Sequence, residues 1–237
     1  MYKREKFCIE PPNQNQILWR FMNRNKFQGI MGQKKLFFAN IKSFEDHTEN
    51  KYTEGTHKNY VKPLSSYGNK NFCIAQNLSE TKAIKDLNDF TDNKGNCIFA
   101  SCWHMCNTDT PTPLWSDDYS ISIKSTFNNL INVFYDDEIT ASVITYLEEC
   151  EVMEIGTLPP AIYKRIKFEF EHELGLITWD KENYLKDQEL KGKLLSVDLE
   201  QLIDEIYIHP DADTEFLNFV QGLVNSNMQK SNIVRRV

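Results

Sequence analysis

The residues of this chain best suited to chemistry are a glutamate pair in Phe168-Glu169-Phe170-Glu171-His172-Glu173 and an arginine in Leu18-Trp19-Arg20-Phe21-Met22. On a strand, Glu171 and Glu173 point to the same side, because successive side chains alternate between faces. Two carboxylates so placed can divide the work, one orienting a hydroxyl and the other activating a nucleophile. Arg20 offers a planar fork of donors that matches the oxygens of a phosphate. Both sites adjoin apolar runs that should be buried, where a charge is costly unless it is paired or used. A serine on a middle strand would complete the set, and Ser101, Ser120 and Ser122 all qualify. The plainer alternative pairs Arg20 with Asp46 or Glu49 and leaves both glutamates on a solvated strand face.

Other groupings compete. Asp46, Glu49, Glu171 and Glu173, with His104, supply the oxygen ligands that a hard cation such as Mg²⁺ takes, the basis of a metal-dependent hydrolase or nuclease. Trp19, Trp103, Trp115 and Tyr119, with Arg20, Lys164, Arg165 and Lys167, have the types of a stacking platform, which suits a non-catalytic module that senses a nucleotide. Cys97, Cys102, His104 and Cys106 fall close together, but most lie in a run that reads as a buried strand and not as a zinc knuckle, so no metal is expected. His104, between Trp103 and Met105, reads as a hydrogen-bonded structural residue.

The chain has 237 residues, 41% of them hydrophobic and 12% aromatic, enough to build one large core. A net charge of -7 and a pI near 5.3 argue against broad nucleic-acid binding. The opening MYKREKFCIEPPNQN lacks the apolar stretch of a signal peptide, and no run approaches the roughly 20 apolar residues of a membrane helix. The expected place is the cytoplasm, with no membrane partner and with the six cysteines as free thiols.

The elements that must position these residues follow from periodicity. Ile17 to Met22 reads as a strand, Asn23 to Gln33 as a helix burying Phe27, Ile30 and Met31 and stopped near Gly32, and Lys35 to Asn40 as a second strand. Residues 51–71 are polar and broken by Gly55, Pro63 and Gly68, which predicts a long loop or insertion. Ser79 would cap a helix through Phe90, Cys97 to Trp103 would form a central strand, and a helix would begin near Pro111 and Pro113. Strands are predicted at Ser120 to Lys124 and Ser142 to Leu147, with a helix from Thr126 to Tyr135 between them. Ala161 to Lys167 reads as helix and Phe168 to Trp179 as an alternating strand. The remainder reads strand (193–197), helix capped by Asp198, strand (206–209), helix (214–228) and strand (233–237). No repeat and no regular strand-helix alternation appears, which predicts a single α+β domain over 1–237, a mixed, mostly antiparallel sheet with short helices packed on it.

The blocks LWRFM, LFFANIKSFED with Glu49, SCWHM, Trp115 with Tyr119, YKRIKFEFEHE and LLSVDLEQLIDEIYIHPDA, in that order, resemble the bacterial domain-of-unknown-function family numbered twenty-nine seventy-one. The chain departs from that pattern at Glu45-Asp46-His47-Thr48-Glu49, where Pro and Phe are missing, and at Gly175, where the family has an arginine. At the level of fold, an arginine on an opening strand, a serine on a middle strand and Glu-x-Glu on a later one are similar to ADP-ribosyltransferases of the Arg-Ser-Glu type. That resemblance implies an ADP-ribosyltransferase-like core that uses NAD. Arg20, Glu171 and Glu173 would be catalytic, and Arg20, Asp46, Trp103, Trp115 and Tyr119 would hold the dinucleotide. By analogy it further implies an effector of toxin or phage-defence type with a macromolecular target.

Overall fold

Short amphipathic segments separated by strong caps build most of this chain. The computed structural model describes residues 1–44, 50–61, 80–106, 108, 110–111, 120–135, 138–156, 158–180, 190–230 and 234–236. The first strand, β1 (Ile17–Met22), leads into α1 (Arg24–Gln33), whose N-cap Asn23 accepts a hydrogen bond from the Lys26 amide at 3.0 Å. The helix ends at Gln33, one residue past Gly32, as its periodicity predicts. Lys34 caps it in the left-handed region at φ 52°, its amide donating to the Ile30 carbonyl, and β2 (Lys35–Asn40) follows at once.

Part of 51–71 is not loop: Thr53 caps a helix, α2 (Glu54–Tyr60). Residues 62–71 of that segment, Ser79 and the helix expected beyond Pro111 lie outside the described residues. Next come α3 (Glu80–Gly95), β3 (Ile98–Met105), β4 (Ile121–Thr126) and α4 (Phe127–Asn132). The strand expected at 142–147 divides into β5 (Ile139–Val143) and β6 (Thr145–Leu147), which join different sheets. The helix expected at 161–167 is one turn, α5 (Pro159–Ile162), running into β7 (Tyr163–Arg165).

A larger correction concerns 168–179. Ile166–Glu171 is a 3₁₀ segment, His172 turns the chain with φ 41°, and only Glu173–Trp179 forms the strand, β8. A strand face must be covered to be held, and Phe170 is 63% exposed, so alternation there has no core to anchor it. The chain closes with β9 (Gly192–Ser196), α6 (Leu199–Leu202), β10 (Glu205–Ile208), α7 (Thr214–Asn227) and β11 (Val234–Arg236). The result is α+β, with a mixed, mostly antiparallel sheet: among the described strands of the main sheet β10 and β11 alone pair in parallel, and β6 with β7 make a separate parallel pair.

The sheet has a fork. One edge of β3 pairs with β8 continuously, from Ile98 opposite Trp179 to His104 opposite Glu173. The other edge is shared: β1 pairs at His104 and Met105, and β2 at Phe99 and Ala100. Between them, Ser101 to Trp103 have neither β1 nor β2 beside them. Beyond the fork the sheet continues through β4, β10 and β11 on the β1 side and through β9 on the β2 side. One face buries the main core, where Leu18, Phe38, Trp103 and Leu176 meet Phe27 and Met31 of α1 and Val220 and Val224 of α7. The opposite face carries the alternate residues Trp19, Phe37, Cys102, His104 and Glu173. No described helix is long and apolar enough to cross a membrane.

Candidate functional site

The fork leaves backbone groups on β3 without a ladder partner, and Arg20 meets them. Its Nη1 donates to the Ser101 hydroxyl and, at 3.2 Å, to the Cys102 carbonyl, while Nη2 reaches the Phe37 carbonyl of β2 at 3.5 Å. One guanidinium thus ties β1, β2 and β3 together, as five donors in a fixed plane allow. Of the three candidate serines, Ser101 is the one that meets Arg20. Trp103 lies beneath, its ring centroid 5.6 Å from the Arg20 guanidinium carbon. At 1% exposure Trp103 is core and not a wall of the cleft, so its part is to support Arg20.

At the fork a cavity of about 630 Å³ opens, lined by Arg20, Cys102, His104, Glu171 and Glu173 and flanked by α1. That volume lies in the range of small-molecule and cofactor sites. Arg20, Glu171 and Glu173, read as catalytic from sequence, therefore share one cavity. Asp46, Trp115 and Tyr119, as well as Glu49, lie outside the described residues.

The glutamates arrive by a route that strand periodicity missed. The reversal at His172 separates them, Glu171 ending the 3₁₀ turn and Glu173 opening β8, and Lys164 of β7 reunites them. Lys164 Nζ is 2.8 Å from Glu171 Oε2 in a hydrogen bond and 2.6 Å from Glu173 Oε2 in an ion contact without hydrogen-bond geometry. Only 10% of the Lys164 side chain and 15% of that of Glu173 is exposed, so this is a largely desolvated triad. Burial raises the Glu173 carboxyl above the usual carboxylate range, and the Glu171 charge adds to the rise. Lys164 and a hydrogen bond involving Cys102 oppose it.

His104 faces Glu173 directly across the β3–β8 ladder and Trp19 across the β1–β3 ladder. Its Nδ1 lies 2.6 Å from the Glu171 carbonyl, which can only accept, so Nδ1 carries the proton and Nε2 of the neutral ring is the acceptor. Facing the acids across β3, Lys26 of α1 and Lys35 of β2 line the cavity, and neither has an ion-pair partner among the described residues. The rim is apolar. Phe37 and Leu194, opposite one another on β2 and β9, are 44% and 46% exposed, and Phe170 completes the group. Gly192 is required here, since a Cβ would come within 2.1 Å of the Phe37 ring.

Sequence reasoning missed Lys26, Lys35, Phe37 and Phe170 as cavity residues, and Lys164 as the link between the acids. Only the polar alternation of β2, with Lys35 and Phe37 on one face, hints at them. Among the described residues no group of three or more His, Cys, Asp or Glu is placed to hold a metal, so Cys97, Cys102, His104 and Cys106 do not form a zinc set.

Compared with known proteins, the chain matches no family model and no curated protein. What its fold and site define is an α+β protein with a cleft that is cationic beside α1 and β2, acidic beyond β3 and apolar at the rim.

Proposed function

We propose that the cleft binds a nucleotide or dinucleotide, and that the protein transfers ADP-ribose from NAD in an ADP-ribosyltransferase-like reaction. One observation carries this reading: Arg20 of β1 and the glutamates at the His172 reversal line a single cavity, together with two lysines that have no ion-pair partner among the described residues and an aromatic rim. The three parts of the cleft suit the three parts of such a ligand. Lys26, Lys35 and the Arg20 end attract phosphates. Phe37 and Phe170 offer apolar surface to a base. Glu173 accepts hydrogen bonds from ribose hydroxyls and stabilises positive charge at C1′ as nicotinamide departs. In the reaction the C1′–N bond breaks, its electron pair leaves with nicotinamide, C1′ bonds to the acceptor, and the acceptor's proton passes to a base. An effector role against a macromolecular target follows from the fold-level resemblance.

The test is nicotinamide release from NAD by purified protein. Glu173→Gln should lower the rate about 100-fold or more while leaving ADP-ribose binding within a few fold. Equal rates in wild type and variant would exclude Glu173 from the chemistry. A second reading, a nucleotide sensor without turnover, is favoured by Lys164, which already neutralises part of the acidic pair. It predicts ADP-ribose binding with no nicotinamide release from the wild type.

A further inference from the structure

We infer that His104 is the general base of this cleft, the group that removes the proton from the acceptor as it attacks C1′. The inference rests on the transfer reading above and adds to it the residue that takes the proton. Three observations support it. First, His104 lines the cavity and stands directly opposite Glu173, the carboxylate assigned to the ribose. Side chains opposite one another on an antiparallel pair have Cβ atoms about 5 Å apart, close enough to act on neighbouring atoms of one ligand. Second, the Glu171 carbonyl fixes the ring. By accepting from Nδ1 at 2.6 Å it selects the tautomer whose lone pair lies on Nε2, and among the described residues no hydrogen bond occupies that nitrogen. A base needs both features, an oriented ring and an open acceptor. Third, the competing carboxylates are engaged. Glu171 and Glu173 both contact Lys164 through Oε2, which leaves each of them less free to approach an acceptor than the open Nε2 of His104.

The step balances without a further reagent. The acceptor's O–H or N–H bond breaks, its proton moves to His104 Nε2, and its electron pair forms the bond to C1′. The C1′–N electrons leave on nicotinamide, and the imidazolium afterwards gives its proton to water.

Two variants test this. Asn at 104 can still donate to the Glu171 carbonyl but has no group at the Nε2 position, so His104→Asn separates fold from chemistry. His104→Ala opens space for added imidazole. The expected results are ADP-ribose binding within about threefold of wild type in His104→Asn, nicotinamide release reduced about 100-fold in both variants, and partial recovery of His104→Ala with imidazole. Wild-type rates in His104→Asn would overturn the assignment while leaving the transfer reading intact. A wild-type protein that binds ADP-ribose yet releases no nicotinamide would overturn the transfer reading, and this assignment with it.

Discussion

Glu173 carries opposing demands within a few ångströms. Burial raises its proton affinity, the charge of Glu171 raises it further, and Lys164 and Cys102 lower it, with burial the strongest influence. A carboxyl whose folded pKa exceeds its unfolded value binds more protons in the folded state, so stability falls as pH rises. The fall begins near the ordinary glutamate value of about 4.3 and continues to the raised folded value, beyond which the loss is complete. Urea unfolding from about pH 4 to neutrality should therefore show Glu173→Gln gaining on wild type as pH rises. Parallel curves would contradict the raised affinity. Asp204, also raised by burial, has the same sign, so part of the fall should survive in the Glu173 variant and disappear in Asp204→Asn.

At the scale of elements, the fork decides where the site lies. Replacing Arg20 removes the donors that satisfy the Ser101 hydroxyl and the Cys102 carbonyl on an edge with no neighbouring strand. Arg20→Ala should cost about 1–3 kcal/mol and speed amide hydrogen exchange at the β2–β3 contact, Ala39 with Ala100, more than in the β3–β8 ladder. Uniform acceleration would deny the fork its separate opening. Much of this architecture was legible in sequence because it is local. Asn23 and the Phe27, Ile30, Met31 stripe announce α1, and Asp198 announces α6. The alternation of Lys35 to Asn40 marks β2 and its buried face. The reversal at His172 was not legible. Phe168 to Leu176 alternates as a strand should, and the left-handed turn falls on a histidine where glycine or asparagine would have signalled it. Nor was the fork, since two strands sharing one edge of a third is a property of distant pairings. For the same reason Arg20 and the glutamates are recognisable as one set of residue types, while Lys164 groups in sequence with a stacking platform and not with the acids it joins.

For the whole molecule, a net charge of -7 surrounds a cleft whose α1 side keeps Lys26 and Lys35 without an ion-pair partner among the described residues. Such local contrast selects a small anionic ligand over extended nucleic acid. The central claim is that this cleft holds a nucleotide with its phosphates at Arg20, Lys26 and Lys35. The most direct measurement is the thermal midpoint of purified protein with and without ADP-ribose, repeated on the Lys26→Glu, Lys35→Glu double variant, whose exposed positions leave the core untouched. Ligand at a hundred times its dissociation constant adds about 2.7 kcal/mol, a rise of roughly 5–10 °C for a chain of this size. The account predicts that rise in wild type and its loss in the double variant. An equal rise in both proteins, or none in wild type, would contradict it.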